Sequence, residues 1–86
     1  MVAAIDGHLA MVQALLEKGA DVQAKNKYGA TALILAATGG HVRVVLALIE
    51  KGADVQAKQK DGHTALMSAA GGGHLSVVLA LLEKGA

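Results

Sequence analysis

Lys18-Gly19-Ala20-Asp21 returns as Lys51-Gly52-Ala53-Asp54, 33 residues further along the chain. The same offset carries Gly7-His8 onto Gly40-His41 and then onto Gly73-His74, and Thr31-Ala32-Leu33 onto Thr64-Ala65-Leu66. Laid on each other, residues 21–53 and 54–86 agree at 24 of 33 positions. A fixed period of this length is the signature of a stacked repeat array, in which each unit buries its apolar face against its neighbours. Such arrays expose long surfaces, so the pattern points to binding before it points to chemistry.

Composition agrees with thin, closely packed helices. Of 86 residues, 53% are hydrophobic, yet Tyr28 is the one aromatic residue, so the core is built from Ala, Val, Leu, Ile and Met. A lone core of this size is marginal. Pro is absent and Gly numbers 11, which leaves the punctuation to glycine. The lack of Cys removes disulfides, zinc–thiolate sites and thiol nucleophiles. A net charge of +1 without a block of like charges argues against a nucleic-acid or membrane partner. The apolar runs, such as Ala32–Ala37, are too short to span a bilayer. The opening Met-Val-Ala-Ala-Ile-Asp does not read as a signal peptide, so the cytoplasm is the default expectation.

Within residues 26–58, Thr31 is placed to cap a short helix, Ala32–Ala37, whose small residues allow a neighbouring helix to approach. Gly39-Gly40 ends that helix. A second helix is expected from about His41 to Lys51, with Val42, Val45, Leu48 and Ile49 as its inward stripe. Gly52 stands where a left-handed cap is wanted, and Lys51 lies at the negative end of the helix dipole. The polar stretch from Asp54 to His63 then holds the turn dipeptide Asp61-Gly62, which favours a tight hairpin. The unit reads as helix, turn, helix and a projecting finger.

This pattern resembles the ankyrin repeat family over the whole chain. The matching residues are Gly29-Ala30-Thr31-Ala32-Leu33, Ala36-Ala37, Gly40-His41, Val45, Leu48 and Gly52-Ala53-Asp54-Val55. The third unit repeats them as Gly62-His63-Thr64-Ala65-Leu66, Ala69-Ala70, Gly73-His74, Val78, Leu81 and Gly85-Ala86. The resemblance implies an all-α, helix-turn-helix solenoid with β-hairpin fingers, divided as a partial repeat 1–25 and repeats 26–58 and 59–86. Three departures stand out. Ala32 and Ala65 replace the usual Pro, Ile34 and Met67 replace a His, and Asn26 and Gln59 replace the Asp that opens the finger. Since Ile34 and Met67 cannot bond the threonine hydroxyl, packing is expected to hold that loop.

Members of the family bind other proteins through the finger tips and the concave face of the first helices. By position, the resemblance assigns that role here to Lys25, Lys27, Tyr28, Ala30, Thr38, Lys58, Lys60, Asp61 and His63, with Gly39, Gly71 and Gly72 leaving the wall bare. Several differences between the two full repeats fall on this surface, and an exposed Tyr is a frequent anchor. The plain alternative is that these positions vary because nothing constrains them. The four lysines form a basic edge that an acidic partner would meet, or simply a solvated rim.

His8, His41 and His74 recur once per repeat, but stacked repeats stand on the order of 10 Å apart, too far to share a metal ion. They are expected to begin the second helix and to bond nearby backbone. Leu46 and Leu79 fall on the outward side of the second helices, with Arg43, Ala47 and Glu50 and with Ser76, Ala80 and Glu83. Ala10, Gln13, Ala14 and Glu17 occupy those places in the partial repeat. Two aligned leucines there form a candidate self-association patch. No acid–base partner accompanies Ser68 or Ser76, and Gly71-Gly72-Gly73 lacks the Lys and Ser/Thr of a phosphate loop. The expectation is a noncatalytic, cofactor-free protein-binding scaffold. The alternative is a self-assembling fragment of a longer array, whose apolar end faces or convex Leu46 and Leu79 pair with copies of itself, or a consensus-like designed scaffold without a specific partner.

Overall fold

The computed structural model describes Ala14, residues 17–19 and residues 21–86. Residues 1–13, with His8, Ala10 and Gln13, lie outside the described residues. Ala14 and Glu17 are helical, and the Lys18 N–H donates to the Ala14 carbonyl at 3.1 Å.

Two helix pairs follow. They are α1 (Ala32–Thr38) with α2 (Val42–Glu50), and α3 (Ala65–Gly71) with α4 (Leu75–Glu83). α1 packs on both α2 and α3, α3 packs on α4, and α2 meets α4 less extensively. The first helices therefore form one layer and the second helices another. No strand occurs among the described residues.

Each boundary follows from its sequence. Thr31 and Thr64 are extended and accept from the N–H groups of Ile34 and Met67, each at 3.3 Å. Each thus satisfies one of the amide donors a helix start leaves without a partner. At its other end α1 closes on a left-handed glycine. Gly40 N–H donates to Ala37 O and His41 N–H to Ala36 O, the paired bonds of a glycine cap. α2 closes in the same way, with Gly52 bonding Ile49 O and Ala53 bonding Leu48 O. Gly52 has φ +96°, which a side chain adopts only under strain.

The inward stripe of α2 is present and wider than the sequence suggests. Val45 and Leu48 are fully buried, Val42 and Ile49 are packed against the core, and Val44 joins them. Val77 and Leu81 repeat this in α4. A helix flanked by its own partner and by a neighbouring repeat needs a broad apolar face. The small residues Ala36, Ala37, Ala65 and Ala69 are buried in the first-helix layer, where larger side chains would hold α1 and α3 apart.

One contact crosses between repeats with unusual economy. Among the last four carbonyls of α1, those of Leu35, Ala36 and Ala37 accept from Gly39, His41 and Gly40. Thr38 has no backbone donor among the described residues, and its carbonyl pairs with His74 Nε2 of the next repeat at 3.0 Å. A carbonyl only accepts, so Nε2 carries the proton. His41 and His74 do begin the second helices, but His74 bonds the neighbouring repeat, 36 residues away in sequence, and makes no cap bond in its own helix. Its ring lies where a Cβ on Gly40 would come within 2.6 Å of Nδ1. Gly40 also has φ +76°. Two demands, backbone conformation and ring clearance, therefore fall on one residue.

These demands separate experimentally. Gly52→Ala meets only the backbone demand, since no atom lies within 4 Å of the added Cβ, and is expected to cost about 1 kcal/mol. Gly40→Ala meets both and is expected to cost roughly 2–3 kcal/mol. Urea denaturation of the two variants checks this, and equal losses would remove the ring contact from the account.

Candidate functional site

The fingers are built from local hydrogen bonds and not from strands. In the finger at 59–63, Gly62 N–H donates to Gln59 O and Gln59 N–H donates to His63 O, both at 2.9 Å. Lys58 and Thr64 then form a single antiparallel bridge. The expected hairpin is reduced to one closed turn. In the preceding finger, Asn26 Oδ1 accepts from Tyr28 N–H and Ala30 N–H at 2.9 and 3.0 Å, so the amide does what a carboxylate would do there. Gln59 has one more methylene in that place, and Asp61 Oδ1 instead accepts from His63 N–H at 3.0 Å.

Neighbouring fingers are joined. Lys60 N–H donates to Tyr28 O at 3.0 Å. The loop behind them is held by two glutamines that the sequence reading passed over. Gln23 Nε2 donates to Gly52 O at 2.6 Å, its Oε1 accepts from Asp54 N–H at 3.2 Å, and Gln56 Nε2 donates to Gly85 O at 2.9 Å. The signal was available, because Val22-Gln23-Ala24-Lys25 and Val55-Gln56-Ala57-Lys58 are identical in a polar loop that elsewhere tolerates change.

Tyr28 is exposed, with Lys27 Nζ 5.2 Å from its ring centroid, a cation–π placement. Its ring borders a shallow recess of about 190 Å³ shared with Gln59, Lys60 and Asp61. Lys25, Lys27, Lys58 and Lys60 are all exposed along this edge, and His63 Nδ1 stands 3.7 Å from Asp61 Oδ2 in the open. A polar contact so exposed adds little stability.

Three expectations need adjustment. Ala30 is not on the surface; it is buried in the core, where its methyl fills space and its N–H is taken by Asn26. Thr38 is exposed, but its hydroxyl donates to Ile34 O at 2.8 Å and its carbonyl holds His74, so its polar groups already serve the fold. Gly39 and Gly72 are bare for a reason other than access. A Cβ on either would strike the ring of its own repeat's histidine, His41 or His74, within 2.8 Å. Gly71 opens onto free space.

On the outward side, Leu46 is 40% exposed and Leu79 56%, with Arg43, Glu50, Ser76 and Glu83 exposed beside them. Ala47 is half-buried and Ala80 buried, so the alanines of that stripe turn towards the core edge. Among the described residues no three His, Asp or Glu side chains are grouped to hold a metal ion, and no helix is long and apolar enough to cross a membrane.

Helix pairs capped by Thr and Gly, stacked at a 33-residue interval with fingers joined along one edge, are the architecture the family resemblance implied. A family model for three copies of the ankyrin repeat matches residues 1–86. The chain belongs to the ankyrin repeat family. No curated protein matches the sequence. Ankyrin repeats generally mediate protein–protein interaction, and the family is typically noncatalytic.

The ankyrin finger row makes a prediction about its glutamine clamps. Gln56→Ala removes one exposed bond between repeats and is expected to cost about 0.5–1 kcal/mol. Gln23→Ala removes both an accepted and a donated bond and is expected to cost more. Chemical denaturation orders the two, and a smaller loss at Gln23 would contradict the clamp.

Proposed function

We propose that the chain is a noncatalytic scaffold that binds a protein partner through its finger tips and the adjoining concave edge. The observation that carries this reading is Tyr28: an exposed aromatic ring beside a recess, with its own carbonyl fixed by Lys60 of the next finger. A backbone held in place before binding leaves less to be ordered on contact. Lys27, Lys60, Asp61 and His63 supply polar contacts around it, and Lys25 and Lys58 extend the basic edge. A partner with an acidic segment suits that edge and would be drawn to it faster at low salt.

The test uses a partner captured on the immobilised chain and measured by calorimetric titration. Tyr28→Ala combined with His63→Ala is expected to raise Kd about tenfold or more, the loss typical of a central anchor. An unchanged Kd would displace the contact from the finger tips.

A second reading, self-association, is favoured by the exposure of Leu46 and Leu79. Light scattering on the Leu46→Glu, Leu79→Glu double variant tests the outward patch. Loss of an oligomer seen in the wild type would support it, and an unchanged oligomeric state would remove it.

A further inference from the structure

On the outward side of α2, Leu46 and Ala47 sit between Arg43 and Glu50. On α4, Leu79 and Ala80 sit between Ser76 and Glu83. The spacing i, i+3, i+4, i+7 makes each set one stripe along its helix. Stacking does not cover the leucines. Leu46 is 40% exposed with the following repeat packed beside it, and Leu79 is 56% exposed with the preceding repeat packed beside it. A neighbour on neither side closes this face. Ala47 is half-buried and Ala80 buried, so each leucine stands proud of a small residue next to it. A projection beside a hollow is a shape that packs on a copy of itself.

The charges select how two copies meet. A twofold axis lying in the plane of contact admits two arrangements. With the axis along the helices, α2 lies on α4 of the second copy and both run the same way. Leu46 then meets Leu79, but Glu50 meets Glu83, twice in each pair of chains. Like charges so placed oppose association. With the axis across the helices, α2 lies antiparallel on α2 of the second copy, and α4 on α4. Leu46 then packs over Ala47 and Leu79 over Ala80, while Arg43 faces Glu50 and Ser76 faces Glu83. One register serves both helices, because the offset of 33 carries each residue of the first stripe onto its counterpart in the second. The helix dipole favours the same choice. Arg43 stands in the first turn of α2, at its positive end, and Glu50 is its last residue, at its negative end. Each charge is placed against its own helix, and an antiparallel copy brings the opposite charge to each end.

We propose that the outward face joins two copies of this chain in a closed antiparallel pair, with the leucines packed over the alanines and the register set by Arg43 and Glu50. The inference rests on the self-association reading and adds to it the direction of the helices and the charged residues that select it. The same surface is used by both copies, so growth stops at two. The contact is small, and the pair is correspondingly weak.

The experiment is sedimentation equilibrium from about 10 µM to about 1 mM, the range in which a small contact fills. The wild-type mass is expected to rise from 8.6 kDa and level at two chains. Arg43→Glu sets acid against acid, and Glu50→Arg sets base against base. Each alone is expected to weaken pairing about tenfold or more. Each also suits the dipole of α2, and circular dichroism checks that the helices are kept. Mixed in equal amounts, the two variants should pair with each other, and both changes in one chain should restore pairing. A wild type that stays monomeric overturns both this pair and self-association. A dimer lost in Leu46→Glu with Leu79→Glu but disturbed by neither charge reversal overturns the antiparallel register alone. Pairing that Glu50→Arg strengthens also overturns it, since position 50 would then meet Glu83. A mass that climbs past two chains without a plateau overturns the twofold.

Discussion

A seven-residue helix ends with more carbonyls than its own repeat satisfies, and the bond from His74 to Thr38 is how this protein resolves that shortage. Three carbonyls at the end of α1 are closed locally by the Gly39-Gly40-His41 turn. The fourth is closed by the neighbouring repeat. The ring that does this needs Gly40 and Gly72 to be without side chains, and it seats itself against the helix layer. Short helices are feeble on their own. Here α1 becomes stable because the next repeat supplies both its packing and its last hydrogen-bond donor. Sequence period, glycine placement and histidine placement are consequences of that single dependence.

The finger row rests on the same logic in softer form. Its backbone bonds are exposed and individually modest, but they join every loop to the one beside it. Polar side chains that bridge backbone groups, Asn26, Asp61, Gln23 and Gln56, hold the loops in shape with few hydrophobic contacts. This leaves the long side chains at the tips, Tyr28 and the lysines, free of structural duty and open to solvent. Structural work and candidate recognition are thus divided between different residues of one loop.

Much of this was legible in the sequence, for identifiable reasons. The Thr caps, the glycine ends and the Val45–Leu48 stripe obey local rules, and the structure places them within a residue of expectation. The histidine partner was not legible, because the bond reaches 36 residues away and periodicity does not say which way a ring turns. Ala30 was misplaced as a surface residue because its counterpart, His63, is exposed. A shared register fixes the backbone, but the size of the side chain decides whether it enters the core. The bare glycines near Thr38 invited a reading as open wall, when at Gly39 and Gly72 a ring already fills the space above them.

The junction between the two full repeats is fastened at three places. Lys60 to Tyr28 lies at the finger end of the first-helix layer. His74 to Thr38 lies at its other end, about 10 Å away along the seven residues of α1. Gln56 to Gly85 lies just past the C-terminal end of α4. Two fastenings would leave an axis about which one repeat could rock on the other. Three that do not share a line leave none. This joint is therefore held against rocking, so Tyr28 and the finger at 59–63 keep a fixed relation to each other and do not act as independent digits.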